Sequence, residues 1–74
     1  MWKVEVVRET RKGICKISEK KFSNDFLGRQ HVVAETGDEP EEGLGWWRTS
    51  RISKDASGRL QWTHWYVVPA NWTL

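Results

Sequence analysis

Six tryptophans stand in a chain of 74 residues, beside two Phe and one Tyr. Each indole presents about 150 to 250 Å² to be hidden, and a domain of this length hides only about 60% of the surface its unfolded form exposes. Six such side chains approach or exceed what one small core encloses. Some indole surface must therefore stay open, and that surplus is the strongest functional clue in the sequence. The length admits one domain, residues 1–74, and no large catalytic scaffold.

Where the tryptophans fall says what kind of element carries them. Trp2 to Arg8 alternates, with Trp2, Val4 and Val6 on one side and Lys3, Glu5 and Val7 on the other, the period of a half-buried strand. The polar Thr10-Arg11-Lys12-Gly13 follows, and Ile14, Cys15 and Ile17 resume an extended pattern, which predicts a hairpin over about residues 2–18. Trp46 to Lys54 and Arg59 to Val68 also alternate and are rich in aromatic, Thr and Val residues. Asp55-Ala56-Ser57-Gly58 joins them, with Asp and Gly at the favoured ends of a type I turn. Pro69 ends the last strand.

Between the hairpins the period changes to that of a helix. Phe26, Leu27, Gln30, Val33 and Ala34 make one stripe, predicting a helix over about residues 24–36 with Phe26 and Leu27 buried. Ser23 is the expected N-cap, Phe22 and Leu27 the expected hydrophobic staple, and Gly37 the expected C′ residue. Gly28 falls on the predicted outer face, at a cost of about 1 kcal/mol relative to Ala. The expected fold is α+β: hairpin, helix, hairpin, forming a mainly antiparallel four-stranded sheet with the helix on one face.

Charge is unevenly placed. Residues 1–37 hold eight basic and five acidic residues, a net of +3; residues 46–74 hold four and one, again +3. Between them Asp38, Glu39, Glu41 and Glu42 lie in a segment with Pro40, Gly43 and Gly45, which predicts an exposed, mobile acidic loop. A solvated charge run is its plain reading, and steering of a basic partner the functional one. No apolar run exceeds four residues and the N-terminus has no apolar stretch of the signal-peptide kind, so the expectation is an intracellular, cytoplasmic protein that does not enter a membrane. A lone Cys15 fits a reducing compartment. In that setting the sequon Asn71-Trp72-Thr73 carries no meaning.

Gly45-Trp46-Trp47 followed by Val68-Pro69-Ala70-Asn71-Trp72 resembles the end of an SH3 domain, where a Trp pair opens a strand and a Pro-x-Asn-Tyr turn closes the barrel. The resemblance implies an all-β SH3-like small barrel as the alternative fold, with Trp46, Pro69 and Trp72 lining a groove for polyproline peptides. The chain departs from that family in having no Ala-Leu-Tyr-Asp-Tyr segment and Trp in place of the closing Tyr. In size and layout it also resembles small phage-encoded host-modulating proteins.

Chemistry-bearing constellations are sparse. Cys15, His31 and His64 are the only thiol and imidazoles, and Cys15 in an alternating strand reads as a buried inert thiol rather than a nucleophile. Their spacing matches no zinc pattern. No catalytic residue, metal or cofactor is expected.

The second hairpin is the candidate surface. One face carries Leu60, Trp62, His64, Tyr66 and Val68; the other carries Gln61, Thr63, Trp65 and Val67, with Trp47, Thr49 and Arg51 across the turn on one side. If the helix covers the first face, Trp47, Trp65, Arg51 and Thr63, with Arg48 and Arg59 nearby, form an open recognition surface. The competing possibility is that residues 69–74 fold back over it. The preferred function is a non-catalytic module, monomeric or a small homo-oligomer, that binds another protein as adaptor or inhibitor. The alternative is a nucleic-acid binder that stacks unpaired bases on sheet aromatics; a net charge of only +2 weighs against it.

Overall fold

The computed structural model describes residues 1–73. Five strands and one helix follow in the order β1 (Trp2–Thr10), β2 (Gly13–Phe22), α1 (Asp25–Thr36), β3 (Glu41–Glu42), β4 (Trp47–Lys54) and β5 (Leu60–Pro69). They build one antiparallel sheet with strand order β2-β1-β5-β4-β3, and α1 packs across one face of it. The α+β architecture matches the expectation, with a short fifth strand added at the β4 edge. Residues 30–35, where the barrel alternative would need a strand, are helical.

The two hairpins join through the first and last long strands. Trp2 pairs with Pro69 and Glu9 with Trp62, so β1 and β5 form the central seam. The first hairpin turns at Arg11-Lys12, with Gly13 at φ 129°, and runs on to Phe22 rather than stopping near residue 18. Lys20 and Lys21 hide this extension from a hydrophobicity pattern, because β2 is an edge strand whose register is held by β1. A bulge opposite Val6 and Val7 leaves Ile17 unpaired and shifts the phase of β2.

The N-cap of α1 is Asn24, not Ser23: the Asn24 side chain accepts from the Leu27 amide at 2.9 Å. Gly37, at φ 77°, closes the helix as expected. The buried stripe, however, is Gly28, Val32 and Thr36. Phe26 and Leu27 are 54% and 44% exposed, contrary to expectation. The reason is Gly28, read from sequence as an outward-facing cost. A Cβ at this position would stand 3.0 Å from Val67 Cγ1 and 3.4 Å from Val4 Cγ2. The missing side chain lets the helix backbone settle onto the sheet, and that close approach outweighs the dispersed apolar residues in setting the helix's rotation.

Val32 of α1 packs on Val4, Val6 and Val67 of the sheet, with Trp2, Phe22, Trp47 and Trp65 around them. The helix thus covers the face carrying Trp47 and Trp65, and the expectation that these two form the open surface is corrected. Trp47 pairs with Val67, Thr49 with Trp65 and Arg51 with Thr63, which fixes the register that alternation alone left open to a one-residue slip at Trp46 and Trp47. Which face receives the helix is decided by how α1 crosses from one sheet edge to the other, and strand periodicity is silent on that.

Candidate functional site on the open face of the sheet

With α1 on one side, the opposite face carries the even-numbered residues of β4 and β5 and the odd-numbered residues of β1; Val7 and Val68 among them are fully buried, and the face is open toward the hairpin tips. Along β5 the face carries an aromatic ladder. Trp62 stacks on His64 with ring centroids 6.0 Å apart and planes 6° from parallel. His64 meets Tyr66 at 5.9 Å, and Tyr66 is flanked by Trp46 at 6.0 Å and Trp72 at 5.4 Å. Trp72 arrives through a turn in which its amide bonds to the Pro69 carbonyl, while the Ala70 amide bonds to the Met1 carbonyl. The C-terminal segment does fold back, onto this face; Leu74 lies outside the described residues.

His64 is held from both sides. Its Nδ1 lies 2.6 Å from Ser50 Oγ and its Nε2 3.0 Å from Glu9 Oε1. A carboxylate only accepts, so Nε2 carries the proton toward Glu9, and in the neutral ring Nδ1 accepts from the Ser50 hydroxyl. These bonds run across three adjacent strands and fix the plane against which Trp62 stacks.

Below the ladder, at the end near the chain termini, Lys3 and Glu5 are only 5% exposed each and join Lys16 and Glu19 in an alternating network. Lys3 Nζ lies 3.4 Å from Glu19 and 3.6 Å from Glu5, while Lys16 Nζ lies 3.0 Å from Glu19 and 3.6 Å from Glu5. The bond to Lys16 holds the Glu19 carboxyl below the ordinary carboxylate range, and the same bond pushes the Lys16 ammonium up.

At the far end the sheet runs past the helix. Every residue from Arg8 to Lys21 and from Arg51 to Leu60 is exposed. There Ile14, Glu9, Trp62 and Ile52 form one row across four strands. Its apolar members are 58%, 42% and 51% exposed, and Leu60 beside them 58%. The hairpin turns sit next to one another around a cleft of about 150 Å³ lined by Thr10, Arg11, Lys12, Asp55, Arg59 and Leu60. Asp55 is committed to its own turn. Its Oδ1 accepts from the Ser57 hydroxyl at 2.7 Å, the Ser57 amide at 2.9 Å and the Arg59 amide at 3.0 Å, which holds its carboxyl below the ordinary range.

The residues expected to form the site are dispersed. Trp47 and Trp65 lie in the core under α1, and Thr63 is 8% exposed on that same face. Arg51 is spent within the chain, donating to the Thr36 carbonyl at the end of α1 and pairing with Asp38 at 2.9 Å. Arg48 stays exposed on the opposite face, across from Tyr66 and Glu41, and Arg59 sits at the turn cleft. The acidic loop is exposed but tied: Asp38 to Arg51, Glu41 and Glu42 paired with Arg48 and Trp47, and the Gly43 amide to the Trp46 carbonyl. A recess of about 460 Å³ separates Asp38, Glu39 and Glu41 from Arg48, Thr49 and Ser50. Cys15, expected to be buried, lies exposed on the edge strand beyond the reach of α1.

Sequence reasoning placed Trp62, His64 and Tyr66 on one face but assigned that face to the core, and it passed over Ile14 and Ile52. The signal for the latter pair is that neither hairpin tip has a helix of matching length to cover it. Among the described residues no helix is long and apolar enough to cross a membrane. No family model, curated protein or solved structure matches the chain.

Proposed function

We propose that the chain is a non-catalytic protein-binding module whose docking surface is the sheet face opposite α1. The observation that carries this reading is the exposed row of Ile14, Trp62 and Ile52, continued by Leu60, on a face whose aromatic ladder is already rigid. Aliphatic and aromatic side chains contributed by three strands, with cations at the rim, have the composition of an interface centre. Because His64 is bonded at both nitrogens, Trp62 is held in place before a partner arrives, which lowers the ordering cost of binding.

The test is capture of a partner by the immobilised protein, with nuclease present, compared between wild type and Trp62→Ala and Ile52→Ser. Both variants should keep the wild-type melting temperature within a few degrees and lose the partner. Retained capture by both overturns the reading. A second reading, stacking of unpaired bases on Trp62, is favoured by the nearby Arg11, Lys12 and Arg59 at the turn cleft. It requires affinity for mixed oligonucleotides that falls steeply with salt, and its absence leaves the protein-binding reading in place.

A further inference from the structure

The hairpin tips and the acidic loop have complementary chemistry within one chain. At the tips, Arg11, Lys12, Lys54 and Arg59 are exposed, and among the described residues none of them has a carboxylate within 4.0 Å. The two acids nearby are engaged elsewhere, Glu9 with His64 and Asp55 within its turn. These cations lie at the turn end of the apolar row through Trp62, beside Leu60. The loop bears Glu39, Glu41 and Glu42, all exposed, and at its crest Leu44, 96% exposed and the most exposed large apolar side chain of the described residues.

Leu44 is held out rather than left loose. Gly45 at φ 79° turns the chain behind it, and Gly43 lies so close to Trp46 that a Cβ there would stand 2.7 Å from the indole. The loop is anchored along the β4 edge by Arg51 and by the pairing of β3. An aliphatic anchor in a carboxylate-rich loop is thus presented by one part of the chain, and an apolar row that ends beside unpaired cations by another.

We propose that the occupant of the tip surface is the acidic loop of a second copy of this chain, exchanged reciprocally so that a two-fold dimer closes. Leu44 of each protomer sits against Trp62, Ile52 and Leu60 of the other, and Glu39 and Glu42 face Arg11, Lys12 and Arg59. An isologous exchange makes each contact twice. This inference rests on the open face being a docking surface and adds the identity of what docks.

Sedimentation velocity from micromolar to millimolar concentration tests it. The wild-type protein should pass from monomer to dimer, with association weakening as salt is raised. Leu44→Ser should lower the association constant by about tenfold or more, since it removes the buried anchor from both contacts. Charge reversal supplies the sharper arm. Arg11→Glu with Lys12→Glu and Arg59→Glu should abolish self-association, as should Glu39→Lys with Glu42→Lys, whereas the two variants mixed should form a one-to-one dimer. Circular dichroism of each variant alone establishes that it is folded.

A wild-type protein that stays monomeric throughout, a dimer indifferent to salt and to Leu44→Ser, or a mixture that stays monomeric overturns the proposal. Capture of a different protein that depends on Trp62 but not on Leu44 overturns it too, while leaving the open face as a docking surface. The absence of any interaction that depends on Trp62 removes both.

Discussion

Replacing each of two tryptophans on β5, three residues apart in sequence, separates the covered face from the open one. Trp65 packs beside Val6 and Val67 beneath α1, across from Thr49, and its Nε1 has no hydrogen-bond partner, so truncation removes apolar contact and leaves no orphaned acceptor. Trp-to-Ala changes in cores cost about 3 to 5 kcal/mol. Trp65 is only partly buried, which puts the expectation near the lower end, about 3 kcal/mol. A domain of this length has about 4 to 11 kcal/mol of stability in all. At roughly 4 to 8 °C per kcal/mol, Trp65→Ala should lower the melting temperature by at least about 12 °C. Trp62 is 42% exposed and stacks on one ring, His64, a pairing worth about 1 kcal/mol. Trp62→Ala should therefore shift the transition by no more than about 4 to 8 °C. Thermal unfolding followed by far-ultraviolet circular dichroism reads both, free of interference from the remaining indoles' fluorescence. Equal losses in the two variants, or a larger loss at Trp62, would refute the assignment of faces.

Gly28→Ala sets about 1 kcal/mol of helix propensity against contacts of 3.0 Å and 3.4 Å to Val67 and Val4. Gly28→Leu overpacks the same space and should cost about 1 to 3 kcal/mol in urea unfolding; a stabilised Leu variant would show that α1 does not rest on Gly28. Arg51→Ala releases Asp38 and the Thr36 carbonyl from an exposed pair, so it should cost no more than about 1 kcal/mol, yet limited proteolysis should move to residues 37–42. An unchanged cleavage pattern would show that the clamp does not order the loop. Asp55 and Glu19 have carboxyls held below their ordinary range, so their support for the fold is complete at neutral pH and fades as pH falls through those lowered values. Lys16, pushed up, gives support that is complete below the ordinary lysine range and is lost only as pH rises past its raised value. Asp55→Asn should accordingly flatten the acid limb of the stability curve, and a curve of unchanged shape would refute the role of that turn.

How much of this was legible in the sequence depends on the range of the interaction that decides it. The turn at Asp55-Ala56-Ser57-Gly58 and the αL cap at Gly37 are settled within a few residues, and turn chemistry showed them, whereas the register that pairs Trp47 rather than Trp46 with Val67 was open to a one-residue slip. The rotation of α1 is settled by the contact of Gly28 with Val67 and Val4, side chains distant in the chain, and no stripe of apolar residues in the helix reports it. The same applies to Lys3 and Glu5, which read as solvated strand residues and are instead buried against Lys16 and Glu19 by the pairing of β1 with β2. The candidate site was half visible for that reason. Its members were on one list by parity, but which of them faced water followed from the helix and from the return of Trp72 onto Tyr66, and Val68 is buried.

The seam between β1 and β5 has a consequence for the order in which the chain acquires its structure. Each hairpin closes over a turn of a few residues, but the pairing of Trp2 with Pro69 and of Glu9 with Trp62 spans nearly the whole sequence. Local turns form in microseconds, whereas a contact of such separation waits on a long loop closure. The hairpins should therefore appear first and meet late, with their docking as the rate-limiting step. Until β5 is complete, β1 has one partner instead of two and the bed on which α1 rests lacks Val67. A chain still emerging from its ribosome thus carries an unpaired strand edge and uncovered tryptophans until β5 is free to pair, the interval in which it is most open to misassociation.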